Sequence, residues 1–226
     1  VEERADIFNN YQVRWGVIFY ALYLFVCMLI KNTDWFNSYT HLFWMELLLA
    51  AITLVFVWMN RHALQPALRL DGLRWFPALL VIVLAVAFWF VSQYIIALLH
   101  VKVRNVGVDY YSHMSSYFSP EVVMVYSVAL TPALFEELAF RGVLYQYFSA
   151  ATDEVRVVVI TAAIFAIMHL NSIALVWLFP LGLWLGYLRK KHHTVWYGVL
   201  FHFTFNFLIC LQAMYPHQLL PFALPQ

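Results

Sequence analysis

Long apolar runs separated by short polar connections make up most of the chain. The runs over Trp15–Ile30, His41–Met59, Trp75–Leu99, Glu121–Ala150, Val155–His169, Ile173–Leu188 and Thr194–Met214 predict about seven membrane spans. Roughly 20 apolar residues carry an α-helix across the hydrocarbon core, and none of these runs alternates apolar and polar positions as a lipid-facing barrel strand would. The predicted class is therefore all-α, a polytopic transmembrane helix bundle. Ser119-Pro120 suits the N-cap and first turn of the fourth span, and Asp71-Gly72 suits a turn in a polar connection. Pro132 lies inside the fourth span, where it removes a backbone donor, predicts a kink and frees a carbonyl. Gly182 and Gly186 form a small-xxx-small pair suited to close helix packing.

Composition strengthens this picture. The 226 residues are 64% hydrophobic and 11% charged, against about 45–50% and about 25% for a soluble domain. Lipid is the expected solvent, and a net charge of +1 argues against a nucleic-acid partner. Cys27 and Cys210 sit in apolar runs and read as packing residues. The chain begins at Val1 without a methionine, which leaves room for a segment ahead of it. With the N-terminus inside, Arg4, Arg14, Arg61, Arg69, Arg74, Arg156, Arg189, Lys190 and Lys191 fall on the cytoplasmic side. Lys31, Lys102 and Arg104 then fall outside, so the expected topology is N-in and C-out. The basic run from Arg189 to His193 reads as a topology anchor at that surface.

A few polar residues fall where lipid should forbid them. Glu136, Glu137 and Arg141 lie in the middle of the fourth span, His169 closes the fifth, and His202 and Asn206 lie within the seventh. Glu46 in the second span is nearer an interface. An ionisable group at depth costs a few kcal/mol or more, so it is expected to face the protein interior and to mark a functional site. At about 1.5 Å per residue, Glu136 and His169 both lie about 21 Å from the cytoplasmic ends of their spans, Asn206 about 18 Å and His202 about 12 Å. They are expected to share one layer. Residues four apart share a helix face, so Glu137 and Arg141 predict an intrahelical ion pair, with Glu136 about 100° round the helix. His202 and Asn206 point together, as do Phe165 and His169.

The chemistry suggested is acyl-bond hydrolysis. A carboxylate in an apolar site suits a general base, and an imidazole can share or relay its proton, which gives Glu136 and His169 the task of activating water. His202 and Asn206 can both donate hydrogen bonds toward a developing oxyanion. No serine or cysteine stands beside these groups, so water is the expected nucleophile and neither a cofactor nor a metal is called for.

The stretches Glu136-Glu137-Leu138-Ala139-Phe140-Arg141, Phe165-Ala166-Ile167-Met168-His169 and His202-Phe203-Thr204-Phe205-Asn206 resemble the three motifs, EExxxR, FxxxH and HxxxN, of the CAAX-protease and bacteriocin-processing family. The resemblance covers roughly Ser119 to Asn206. It implies a glutamic-type intramembrane endopeptidase, with Glu136, His169, His202 and Asn206 catalytic and Glu137 and Arg141 supporting them. It also implies one integral membrane domain, with residues 119–214 as catalytic core, residues 1–118 supplying three further spans and an outer loop, and residues 215–226 a tail. The implied partners are the lipid bilayer and a membrane-associated protein or peptide, cut near its C-terminus, in what looks like a bacterial cytoplasmic membrane. Three rival readings stay open. A zinc protease would use the histidines and glutamates as ligands, although no His-Glu-x-x-His element is present. A non-catalytic binding or immunity protein would hold a peptide in the same cavity. A proton-coupled transporter would use buried Glu and His as relays, although no inverted repeat is evident.

Overall fold

Apolar sequence becomes helix wherever the backbone must satisfy its own polar groups, because lipid offers no hydrogen bonds. The computed structural model describes residues 10–32, 39–98, 111, 114, 119–172 and 174–215. Among these residues there is helix and no strand. The helices are α1 (Tyr11–Asn32), α2 (Tyr39–Met59), α3 (Arg61–Leu68), α4 (Trp75–Leu98), α5 (Pro120–Phe148), α6 (Glu154–Met168), α7 (Leu175–His192) and α8 (Trp196–Met214). The connection expected over residues 101–119 lies outside the described residues except for Tyr111, Met114 and Ser119. The tail beyond Tyr215 lies outside them too.

Among the described residues, five helices are long and apolar enough to cross a membrane: α1, α2, α4, α5 and α8. The expected count of seven rests on two more that fall short of that standard. With 15 residues, α6 is shorter than the roughly 20 residues that span the hydrocarbon core. Helix α7 carries Arg189, Lys190 and Lys191 in its last turn. These basic residues were expected in a loop. They extend the helix instead, because straight-chain cations are good helix formers and suit the negative end of the helix dipole. The helix then stops at His193 in the left-handed conformation. Only 17–28% of the spans in α1, α2 and α4 is buried, against 44% in α5 and 39% in α8. Leu48, Leu54 and Val55 of α2 and Leu79 and Val83 of α4 are accordingly exposed, as a lipid-facing surface requires.

The chain divides into two compact units. The first comprises Val1–Leu73 and Phe135–Gly198. Its core is a chain of rings: Phe19 lies 4.8 Å from Phe56, Tyr23 lies 5.8 Å from Phe140, and Phe140 lies 5.3 Å from Phe165. Asp153 caps α6 by accepting from the amides of Val155 and Arg156. Gly182 and Gly186 bring α7 against α6. A Cβ at Gly182 would stand 3.0 Å from the Cα and Cβ of Ala162, and one at Gly186 would stand 2.9 Å from Val158. Asp71-Gly72 forms the expected turn, where the Leu73 amide donates to the Leu70 carbonyl.

The polar link before α4 also holds a helix that the hydrophobic pattern did not predict. Eight residues long, α3 buries Leu64 and Ala67 and leaves Arg61, His62 and Gln65 exposed. The last carbonyls of a helix lack intrahelical donors. Here the segment leading into α8 supplies them. Thr194 Oγ1 and the Val195 amide donate to the Ala67 carbonyl at 3.0 and 3.1 Å, and Trp196 Nε1 donates to that of Leu68 at 2.8 Å.

The second unit comprises Arg74–Leu134 and Val199–Gln226. Phe88 of α4 packs against Phe205 at 5.6 Å and Phe201 at 6.0 Å. Gln212 Nε2 donates to Gln93 Oε1 at 3.3 Å, a polar tie between α4 and α8.

Gly182→Ala is expected to destabilise the protein by about 1–3 kcal/mol, because the new methyl meets backbone that cannot swing away. Gly72→Ala, with nothing within 4 Å, is expected to be neutral. Chemical unfolding of both variants in one detergent checks the contrast.

Candidate functional site

The two adjacent glutamates stand at the end of a short α-helical piece between two wider turns. In α5, Thr131–Glu137 is α-helical, whereas Val125–Leu130 before it and Leu138–Leu144 after it are π-helical. The Thr131 amide donates to the Tyr126 carbonyl and the Tyr145 amide to that of Phe140, five residues back in each case. Such wide turns recur at functional sites. Each leaves a carbonyl that a side chain of another helix takes. Arg189 Nε donates to the Arg141 carbonyl at 3.1 Å in the first unit, and Asn206 Nδ2 donates to the Val128 carbonyl at 2.9 Å in the second. Pro132 accounts for the earlier one, since it brings no N–H to the carbonyl four residues before it.

In the first unit, Glu137 and Arg141 are both fully buried and form an ion pair, with Arg141 Nη1 donating to Glu137 Oε1 at 2.8 Å. Arg141 Nη2 donates to the Gly182 carbonyl at 3.1 Å, and its guanidinium lies 4.4 Å from the centre of the Phe165 ring. Arginine stays charged in proteins, so the carboxylate, the carbonyl and the ring face together replace the water this cation has lost. Gly198 closes the arrangement. A Cβ there would stand 2.6 Å from Glu137 Oε2, so only glycine admits the carboxylate in this position.

Glu136 is half-buried on the same helix. His169 is the C-cap of α6, with Nδ1 2.8 Å from the Phe165 carbonyl and the ring 4.9 Å from that of Phe165. A carbonyl oxygen only accepts, so Nδ1 carries the hydrogen and the Nε2 of the neutral ring is a base. Just beyond, Leu170 adopts the left-handed conformation at φ 52°, and Lys31 Nζ of α1 donates to its carbonyl. Phe165 thus serves both motif residues, with its ring under Arg141 and its carbonyl on His169.

In the second unit, His202 is buried and Asn206 half-buried on successive turns of α8. The bond to Val128 fixes the Asn206 amide with its nitrogen toward α5. Glu136, Glu137, Arg141 and His169 belong to the first unit, and His202 and Asn206 to the second. Among the described residues, no group of three or more His, Cys, Asp and Glu is placed to hold a metal ion.

Sequence reasoning missed three contributors. Arg189 was read as a surface anchor, but it is buried, with its guanidinium 5.0 Å from the Tyr145 ring centre and its Nε on the Arg141 carbonyl. Its place four residues before the left-handed helix end gave no sign of this. Gly198 stood outside every motif, and the role of the Gly182 carbonyl was hidden behind its packing role.

Comparison with known families gives one finding. Residues 118–208 match the model of the family described as Type II CAAX prenyl endopeptidase Rce1-like. The match bears out the resemblance to the CAAX-protease and bacteriocin-processing family and spans all seven fixed motif positions, from Glu136 to Asn206. The description of that family implies a hydrolase that cleaves peptide bonds, and the five long apolar helices among the described residues support an integral membrane protein. No curated protein and no solved structure matches the chain.

Gly198→Ala is expected to push the Glu137 carboxylate off Arg141 and to lower stability by about 1–3 kcal/mol. In a Glu137→Ala background the same change should cost little, because the atom it strikes is gone. Unfolding of the two single variants and the double variant measures the difference.

Proposed function

We propose that this chain, which carries an Rce1-like endopeptidase segment over residues 118–208, is a glutamic-type intramembrane endopeptidase. It cuts near the C-terminus of a membrane-inserted or lipidated protein or peptide. The family match is the observation that carries the proposal, because it spans every candidate residue.

Glu136 is the general base. It takes a proton from water, and His169, whose Nε2 is left as acceptor by the Phe165 carbonyl, shares that proton. The hydroxide oxygen adds to the scissile carbonyl carbon, and the carbonyl oxygen becomes an oxyanion. His202 and Asn206 donate hydrogen bonds to it, Asn206 through the amide hydrogen that Val128 leaves over. As the intermediate collapses, the C–N bond breaks and the leaving amine takes the proton that Glu136 and His169 hold. Glu137 and Arg141 support this chemistry without joining it, because each is committed to the other. A bacterial cytoplasmic membrane is the proposed location.

Glu136→Gln keeps the shape and removes the base. The variant is expected to unfold like its parent while turnover falls by about 10²–10⁴-fold. Peptide cleavage by purified protein, assayed with and without a strong chelator, is the measurement. Parental turnover in Glu136→Gln would remove the residue from catalysis. Activity lost on chelation and restored by zinc would move the chemistry to a metal hydrolase.

A further inference from the structure

One polar side chain of the second unit, Asn206, is held by a defect in the facing helix. Pro132 has no N–H, so position 132 offers no donor to the Val128 carbonyl four residues earlier. Immediately before the proline the backbone is π-helical over Val125–Leu130. A main-chain carbonyl left this way in a lipid-embedded helix needs a donor. Asn206 Nδ2 provides it at 2.9 Å. One turn along the same pair of helices, Cys210 Sγ lies 3.8 Å from the Met124 carbonyl. The two contacts therefore run along one line of α8 and one line of α5. On the α4 side, Phe88 against Phe201 and Phe205, together with the Gln93–Gln212 bond, sets the rotation of α8.

We infer that Pro132 is a positioning residue for Asn206: by withholding its N–H it reserves the Val128 carbonyl to orient the Asn206 amide. The inference rests on the proposal that Asn206 stabilises the oxyanion. An asparagine amide can rotate by half a turn and exchange its donor and acceptor ends. A carbonyl that accepts only from nitrogen forbids that exchange, so one amide hydrogen is spent on Val128 and the other keeps a fixed direction. Orientation of this kind matters to an oxyanion donor, because its contribution depends on being aimed before the charge develops.

Pro132→Ala returns an N–H to position 132 and gives the Val128 carbonyl a donor within its own helix. Alanine is the better helix former, so the variant is expected to unfold at or above the parental transition. Should it fail to fold, Pro132→Ser restores the same N–H. The expected kinetic result is a kcat about 10-fold or more below parent with KM unchanged, against about 10²–10³-fold for Asn206→Ala. The double variant Pro132→Ala/Asn206→Ala should turn over no more slowly than Asn206→Ala alone, because the proline acts through the amide. Protein labelled with ¹⁵N-asparagine gives a readout that needs no turnover. The side-chain NH₂ signal that Asn206→Ala deletes should shift in Pro132→Ala. A slow Asn206→Ala beside a Pro132→Ala of parental kcat and unshifted signal would overturn the positioning role, as would losses that multiply in the double variant. Asn206→Ala at the parental rate would instead remove the oxyanion assignment, and this inference with it.

Discussion

A permanent cation without water must be surrounded by groups that replace it, and Arg141 imposes that constraint on the first unit. Its guanidinium is fully buried and meets the Glu137 carboxylate, the Gly182 carbonyl and the Phe165 ring face, one partner each from α5, α7 and α6. Gly198 of α8 has no side chain because the carboxylate occupies that space. Removing one member of such a set costs several kcal/mol, since the other charge stays buried and alone. The same ring that faces Arg141 belongs to the residue whose carbonyl orients His169. The ion pair and the histidine are thus fixed by one side chain and its own backbone.

A second constraint follows from the backbone of α5. Its two wide turns release carbonyls that cannot be left bare in lipid, and the donors that meet them are polar side chains from α7 and α8. Irregularity in one helix is converted into side-chain orientation in another. In the first unit this recruits Arg189 to the backbone of Arg141, and in the second it recruits Asn206 to that of Val128.

Much of this was legible in the chain. Apolar runs located every long helix, because in lipid hydrophobicity and helicity coincide. The four-residue spacing of Glu137 and Arg141 predicted a pair that forms at 2.8 Å. Pro132 announced a freed carbonyl, although not the asparagine that takes it. What stayed hidden depends on partners distant in sequence. Helix α3 is too short and too polar to register as an apolar run, and it is held by Thr194 and Trp196, more than a hundred residues away. The π-helical stretch Leu138–Leu144 contains no proline, so a regular helix was expected across it. Arg189 sits in a basic run whose other members suit a membrane surface, and the Arg141 carbonyl and the Tyr145 ring that hold it lie more than forty residues away. The shares of the two units in the family motifs, and the span count, likewise depend on packing that local pattern does not encode.

The Glu137–Arg141 pair organises the first unit. The most direct test is a thermodynamic cycle of Glu137→Gln, Arg141→Met and the double variant, followed by reversible unfolding in detergent. Each single change should cost about 3–5 kcal/mol, and the double should recover a large part of that loss, because no lone charge or orphaned carboxylate remains. Single variants as stable as the parent, or a double variant whose loss equals the sum of the two, would contradict it.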